Sequence, residues 1–294
     1  MTTPARLSIV VPVYNQSGLL RRALESIRRQ EASGYELIVV DDASPDDSAA
    51  VAREYADRVL VNPRNVGPAR TRNRGIRESA GEVVAFLDSD CEAQPGWLSG
   101  LMRALEEPGV DVVMGGVWIP PSTFLGDSIS ALGFPAGGSL GFEKVWHVSP
   151  EGFTDHISSC NFAVRRTIFE RHGAFDESFP LAGGEDSELS FRYSRAGVRI
   201  RYCADARVHH VARKDLSSFV RWQLTRGISN YYFKKKVGPV GSFIRLRVWS
   251  SGNVLRAHLL DLKLPVIVLL LGLSFVLQQW GFVVARRRDL TTAG

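Results

Sequence analysis

The sequence predicts an α/β fold, a doubly wound, mostly parallel sheet followed by a C-terminal helical, membrane-associated tail. Three observations predict it. Four apolar, β-branched runs alternate with helical patterns within the first 90 residues; an acidic main part gives way to a basic end; and Leu264 to Ala285 is 22 residues without a charge.

The elements follow in order. Leu7-Ser8-Ile9-Val10-Val11-Pro12-Val13 reads as a strand buried on both faces. Leu19, Leu20, Ala23, Leu24 and Ile27 recur at helical spacing, and Glu36 to Val40 resumes the strand pattern, completing a βαβ unit. Ser44-Pro45-Asp46-Asp47 offers caps for a short helix, Val59 to Val61 forms a third strand, and Gly67-Pro68 opens a helix that Gly81 closes. Val83 to Leu87 is the fourth strand and runs straight into Asp88-Ser89-Asp90. Such a sheet carries its ligand crevice at the carboxyl ends of the strands, where these polar residues stand. From Pro108 to Pro150 the pattern dissolves into Gly, Pro, Ser and aromatics, including Trp118, Phe124, Phe134, Phe142 and Trp146, and predicts a long loop with short elements, either a packing excursion or an acceptor-binding segment. A further strand is expected over Val198 to Tyr202.

Charge divides the chain. Residues 1 to 206 carry 21 Lys/Arg against 28 Asp/Glu, and residues 207 to 294 carry 15 against 3. A basic segment suits nucleic acid or an anionic lipid surface, and the uncharged stretch beside it favours lipid, so no nucleic-acid partner is expected. Cys91, Cys160 and Cys203 lack the spacing of a disulfide framework or a zinc cage. The run over residues 7–13 is short and ends in Pro12 and Tyr14 rather than a small-residue cleavage site, so it does not read as a signal peptide and the main domain is expected in the cytoplasm.

Four constellations carry chemistry. Pro12, Tyr14 and Asn15 at the end of the first strand and Asp42 at the end of the second would converge on one ligand, a carboxylate receiving base or ribose hydrogens while Tyr14 or Pro12 covers a ring; Asp46, Asp47 and Ser48 read instead as helix caps. Asp88 and Asp90, two apart on extended backbone, would project to one side, and their repulsion calls for a hard divalent cation that bridges to phosphate. In Gly183-Gly184-Glu185-Asp186 the carboxylates gain from a helix N-terminus, but the double Gly also lets the backbone approach a ligand closely. His209-His210 offers an imidazole to a metal held by carboxylates, with either ring a candidate.

Together, LSIVVPVYN, ELIVVDDASPDDS, NVGPARTRNRGI, GEVVAFLDSD, SCNFAVRR and GGEDSELSFR resemble the family 2 glycosyltransferases over about residues 6 to 210, in that family's order. The resemblance implies the GT-A fold and inverting transfer from a nucleotide-diphosphate sugar, a UDP-sugar foremost, with Mn2+ or Mg2+ as cofactor. It places Pro12, Tyr14, Asn15 and Asp42 at the nucleotide, with Arg70 and Asn73 lining the same site. Asp88 and Asp90 fall on the metal and diphosphate motif, Asp186 on the catalytic base, Glu185 beside it on an acceptor-orienting position, and His209 on a late metal contact.

The expected organisation is a catalytic domain over 1–212, a basic interfacial helical region over 213–262, a membrane-embedded segment over 263–285 and a basic tail over 286–294. Leu216, Val220, Leu224 and Ile228 recur every four residues, as in a helix lying on lipid or packed on the catalytic domain. A single crossing would put Arg286 to Arg288 on the outer side, against the positive-inside preference, so spanning and in-plane arrangements both stay open. The expected place is the cytoplasmic face of the cell membrane, and the expected acceptor a lipid-linked or cell-envelope glycan. Two alternatives are a nucleotidyltransferase, which would carry a basic Gly-rich loop where Pro12 to Asn15 stand, and a catalytically silent membrane adaptor.

Overall fold

The computed structural model describes residues 7–31, 34–238 and 241–292; residues 1–6 of the expected catalytic domain and 293–294 of the expected tail lie outside the described residues. The first half follows the predicted alternation closely. Strands β1 (Leu7–Val13), β2 (Tyr35–Asp41), β3 (Arg58–Val61) and β4 (Val83–Leu87) alternate with helices α1 (Ser17–Arg28), α2 (Ser48–Tyr55) and α3 (Pro68–Glu78). They lie in the order β3-β2-β1-β4, all parallel. The apolar runs sit where both faces are covered: Ile9, Val10, Leu37 to Val40 and Val83 to Leu87 are fully buried. Pro12 is tolerated in a central strand because the Val13 carbonyl turns to β2, receiving the Asp42 N–H, so position 12 turns the other way, where pairing with β4 has already ended at Val10.

Beyond β4 the sheet is mixed rather than mostly parallel. After β5 (Cys91–Ala93), α4 (Trp97–Leu105), β6 (Val112–Trp118), α5 (Phe124–Ser130), β7 (Phe153–Thr154), β8 (Asn161–Arg165), α6 (Arg166–His172), α7 (Glu185–Arg195) and β9 (Ile200–His210), the order continues β4-β8-β6-β9-β5, with β8 antiparallel to both its neighbours. The segment expected as loop from residue 108 therefore contains an interior strand, β6. Its glycines hid it: a Cβ on Gly115 would meet Asn161 Nδ2 at 2.4 Å, and one on Gly116 the Ala204 carbonyl at 2.4 Å, so the backbone comes too close for any side chain. Buried Asn161 joins these elements, accepting from Trp97 Nε1 (2.8 Å) and donating to the carbonyls of Gly116 (2.8 Å) and Ala206 (2.9 Å).

Three helices complete the chain, α8 (Leu216–Val237), α9 (Gly241–Ala257) and α10 (Leu264–Thr292). Asp215 caps α8 by accepting the Ser218 N–H at 2.8 Å. The buried side of α8 is Phe219, Gln223, Gly227, Ser229 and Phe233 rather than the expected Leu216 stripe, and Leu216 is exposed. Phe219 joins Ile129, Leu132, Val254, Ile267 and Leu270 in a second core, so α10 is docked along α8. The contact is backbone to backbone: a Cβ on Gly281 would meet the Leu224 carbonyl at 2.3 Å, and one on Gly227 the Gln278 carbonyl at 2.2 Å. Gln278 donates to Gln223 (2.6 Å) and accepts from Arg247 (2.9 Å) within this contact. Among the described residues α10 is the one helix that, by length and composition, could cross a bilayer, over Leu264–Asp289 with mean hydropathy 2.0. Its outward side exposes Val268, Leu269, Phe275, Val276, Trp280 and Val283.

Candidate active site

The carboxyl ends of β1, β2 and β4 meet as the parallel topology requires. Two residues there occupy the left-handed region, Asn15 (φ 54°) and Ala43 (φ 60°), and the loops that carry them are tied by the Asn15 N–H donating to Ser44 Oγ at 2.9 Å. For Ala43 that conformation costs on the order of 1 kcal/mol, the kind of local strain held at functional sites. Tyr14 is exposed beside them, while Pro12 is buried in the strand.

Asp88-Ser89-Asp90 is a turn, not the extended segment expected: the Cys91 N–H closes back on the Asp88 carbonyl at 3.0 Å. The turn lets the chain fold back into β5, which pairs with the end of β9 and brings Asp90 to His210. Burial, opposed by Arg72 and reinforced by the Asp90 charge, pushes the Asp88 carboxyl above its ordinary value.

Arg72 is the residue the sequence reading missed. Only 5% of its side chain is exposed, and it donates to Asp88 Oδ1 at 2.7 Å and to Glu185 Oε1 at 3.2 Å, joining the turn after β4 to the start of α7. Its signal was present, because Ala69, Arg72 and Ile76 fall on the buried stripe of α3, where a cation needs carboxylates. Glu185 is fully engaged, its other oxygen accepting the N–H groups of Gly183 (2.7 Å) and Gly184 (2.9 Å), so it organises the double-glycine loop rather than facing an acceptor. Gly183 takes φ 102°, which explains that glycine. Asp186 has no such partners beyond Ser187, whose N–H donates to it at 2.7 Å. It is half-buried, and burial and the adjoining Glu185 charge push it up to about 6, against the pull of Arg226 and Arg72.

The two histidines separate. His210 is buried with Nε2 at 3.5 Å from Asp90 Oδ2, whereas His209 faces the other way, its ring 4.9 Å from that of Trp118. The ring beside Asp90 is that of His210 and not the expected His209, because Ala206, Val208 and His210 share the buried side of β9 and position 209 does not. His210 Nδ1 lies 2.8 Å from the Val211 carbonyl and so carries the proton in the neutral ring. Its Nε2 faces the Asp90 carboxylate, and a proton or a metal cation between them would join the two. Asp90 and His210, with Cys91, form the one cluster of this kind among the described residues. Burial holds the Cys91 thiol well above its ordinary range, which leaves oxygen and imidazole as the donors and fits a divalent ion.

Two other expected nucleotide contacts, Asp42 and Asn73, are occupied within the protein. Asp42 accepts from Asn62 (2.7 Å) and from the N–H groups of Val66 and Gly67 (2.9 Å each), and so shapes the loop leading to α3. Asn73 is spent on the backbone of Phe175 (2.8 and 3.0 Å) and on Glu177 (3.0 Å). Arg70 is half exposed, 3.7 Å from Glu177. These side chains hold loops at the rim, because α3 packs its polar side on segment 175–177. A cavity of about 390 Å³ opens on the other side of α7, lined among others by Trp146, His156, Ser187, Phe191, Phe233 and Trp249. Trp146 and His156 stack at 3.3 Å, and burial together with Arg226 lowers His156 to about 3, so that ring is neutral.

Comparison with known proteins places this geometry. Over 218 residues the chain is 32% identical to the pre-mycofactocin glycosyltransferase of Mycobacterium tuberculosis (strain CDC 1551 / Oshkosh), covering 73% of this chain but 44% of that protein. It is 31% identical over 231 residues to the putative glycosyltransferase EpsH of Bacillus subtilis (strain 168), covering 75% and 64%. The chain thus spans less than half the length of the mycobacterial relative. Among solved structures, the mannosyltransferase PcManGT from Pyrobaculum calidifontis, in complex with GDP-Man and Mn2+, superposes with TM-score 0.62 at 20% identity, covering 98% of this chain and 88% of that one. GalNAc-T7 with UDP, GalNAc and Mn2+ gives 0.58 at 17%, covering 86% and 55%. Both share the fold. The profile of glycosyl transferase family 2 matches residues 8–173, which carry β1 to β4 and the aspartates at their ends, and the chain belongs to that family.

Proposed function

We propose that this chain transfers a sugar from a nucleotide-diphosphate sugar, a UDP-sugar foremost, to an acceptor hydroxyl in a single inverting displacement. The observation that carries the reading is the Arg72 node, which fixes the Asp88–Asp90 turn and the Asp186 helix start to one guanidinium from positions far apart in sequence. Asp186, raised to about 6 and ionised above it, takes the proton of the acceptor hydroxyl. Asp90 and His210 would hold a divalent cation, with Asp88 set beside them by Arg72; when bound, Mn2+ or Mg2+ would supply the positive charge that stabilises a departing diphosphate. Exposed Tyr14 offers its ring to the base, and Asp42 keeps the loop beneath it in shape. No enzyme nucleophile is needed, so the anomeric centre inverts.

The acceptor enters by the aromatic cavity beside α7, whose lining suits an amphipathic glycan carrier. Membrane association follows from the exposed apolar stripe of α10, which lies on lipid at the cytoplasmic face while the opposite side of the helix stays on α8. Structural neighbours in complex with GDP-Man and Mn2+ and with UDP, GalNAc and Mn2+ support the donor class. The test is release of nucleotide diphosphate from a panel of UDP- and GDP-sugars with Mn2+ or EDTA, the anomeric configuration of the product being read by NMR. Metal-dependent turnover with inversion is expected, lost in Asp90→Ala; a folded, Mn2+-loaded chain that turns over no donor overturns the reading.

A further inference from the structure

The turn that joins α9 to α10 carries three leucines into solvent. Leu259 and Leu262 are 63% and 89% exposed, and Leu260 between them is fully exposed. Leu216, exposed at the start of α8, stands at the same end of the helices, because α8 and α10 run parallel: Gln223 meets Gln278, Tyr231 meets Phe282 and Lys235 meets Asp289. A single exposed leucine needs no explanation, but three in one turn that leads into the outward apolar stripe of α10 do.

The turn is suited to an apolar medium. The N–H groups of His258, Asp261 and Leu264 donate to the carbonyls of Leu255, His258 and Asp261 at 2.9 to 3.2 Å, and that of Lys263 donates to Asp261 Oδ1 at 2.9 Å, so much of its backbone is satisfied internally. Basic side chains flank the leucines in the chain, Lys214 and Arg256 exposed and Lys263 half-buried. The three carboxylates beyond residue 206 are each spent, Asp215 capping α8, Asp261 closing the turn and Asp289 pairing with Lys235, which leaves the excess of Lys and Arg complementary to an anionic headgroup surface.

Packing decides the topology. Polar Gln223, Asn230 and Gln278 lie between α8 and α10. Helix α8 is itself held on the catalytic domain, Ser229 Oγ donating to the Ala182 carbonyl at 3.1 Å and Lys236 pairing with Asp176 at 2.8 Å. A helix fastened along its length to a polar domain cannot thread a bilayer without drawing that domain in. Lys235 and Asp289 meet at 2.7 Å, so the last turn of α10, with Arg286 to Arg288, stays on the side of the catalytic domain, where the positive-inside preference wants it.

We propose that α10 is monotopic and that the α9–α10 turn is its insertion tip. Leu216, Leu259, Leu260 and Leu262 enter the acyl boundary of a bilayer rich in anionic phospholipid, Lys214, Arg256 and Lys263 meet its phosphates, and Arg286 to Arg288 remain on the side of entry. This rests on the membrane reading of α10 given above and not on the glycosyl-transfer chemistry.

The test adds the full chain to preformed, sealed vesicles of phosphatidylglycerol and phosphatidylethanolamine. Leu260→Glu with Leu262→Glu is expected to weaken flotation with them by about 10-fold or more while the melting curve stays that of the parent, since these side chains pack on nothing in the protein. Nitroxides are then placed through Leu260→Cys and Arg286→Cys in a Cys203→Ser background, whose remaining cysteines are buried. Collisional relaxation by oxygen and by a nickel chelate is expected to place the label at 260 among the acyl chains, and external ascorbate to reduce the label at 286. Parental binding by the folded glutamate pair, or an aqueous signal at 260 in the bound protein, overturns the tip; protection of 286 from ascorbate overturns the monotopic arrangement. A label at 260 shielded without vesicles, with a dimer in sedimentation, gives the leucines to a second copy and overturns the proposal as well. A parent that does not float overturns the membrane reading itself, whereas loss of flotation in Phe275→Ser with Trp280→Ser but not in the glutamate pair removes the tip alone.

Discussion

Asp186 and Glu185 are neighbours of the same chemical type with opposite fates. Glu185 is neutralised by Arg72 and two backbone N–H groups, whereas Asp186 keeps a carboxyl raised to about 6. For the base reading this means that kcat/KM rises with pH through about 6, as the carboxyl ionises, and levels off above it. Asp186→Asn keeps the shape but cannot accept the proton, so transfer at saturating donor is expected to fall by about 10² to 10⁴ with donor affinity kept, and the acidic limb should vanish from what activity is left. Single-turnover transfer together with donor titration checks both; an unchanged rate removes Asp186 from the role. At this scale the sequence was a good guide to residue type. Asp88, Asp90, Glu185 and Asp186 do converge, but the partners that distinguish one carboxylate from its neighbour come from α3 and from the backbone, and no local pattern names them.

Elements decide which side of the chain faces the site. On β9 the alternation that buries Ala206 and Val208 turns His210 inward and leaves His209 on Trp118. His210→Ala should therefore weaken Mn2+ binding by about 10- to 100-fold, the range seen when a metal's ligand set is disturbed, while His209→Ala leaves it unchanged. Mn2+ titration followed by electron paramagnetic resonance reads this, and the reverse pattern would return the metal to His209. The same periodicity was available in the sequence, since Val208 is apolar and His210 lies two further on. The helix stripe that contains Arg72 was equally legible. Strand β6 was not, because Gly115 and Gly116 give no apolar signal and are explained only by the backbone of β9 and the side chain of Asn161 pressing on them.

At the scale of the molecule, α10 belongs to the fold. Its inner side supplies Ile267 and Leu270 to a core with Phe219 and Val254, and Gln278 reaches Arg247 and Gln223. Deleting residues 263–294 should therefore lower Tm by more than about 5 °C, since burying each large apolar side chain contributes ~1.5–3 kcal/mol and ~1 kcal/mol moves Tm by ~2–4 °C in a chain of this order. A melt of the truncated chain decides it; an unchanged Tm would make the helix a dispensable anchor. Phe275→Ser with Trp280→Ser alters only the outward stripe and is expected to weaken flotation with vesicles of anionic phospholipid while leaving Tm within about 2 °C of the parent, because exposed positions away from packed contacts contribute little to stability.

Alternation of β-branched runs with helical spacing determined, without any coordinates, the parallel half of the sheet and the set of aspartates at its ends. Both are consequences of short-range periodicity and of strand ends opening on one crevice. Uncharged length likewise determined that residues 264–285 would be helical and apolar. Tertiary structure alone decided that β8 enters antiparallel between β4 and β6, that Asp42 and Asn73 hold loops, and that three arginines from beyond residue 210 stand over Phe134 and Trp222. Each of these depends on which distant segment lies alongside. A guanidinium on an exposed stretch and one enclosed between aromatic rings read identically in the chain, and the difference in their chemistry is made by the neighbours that folding brings to them.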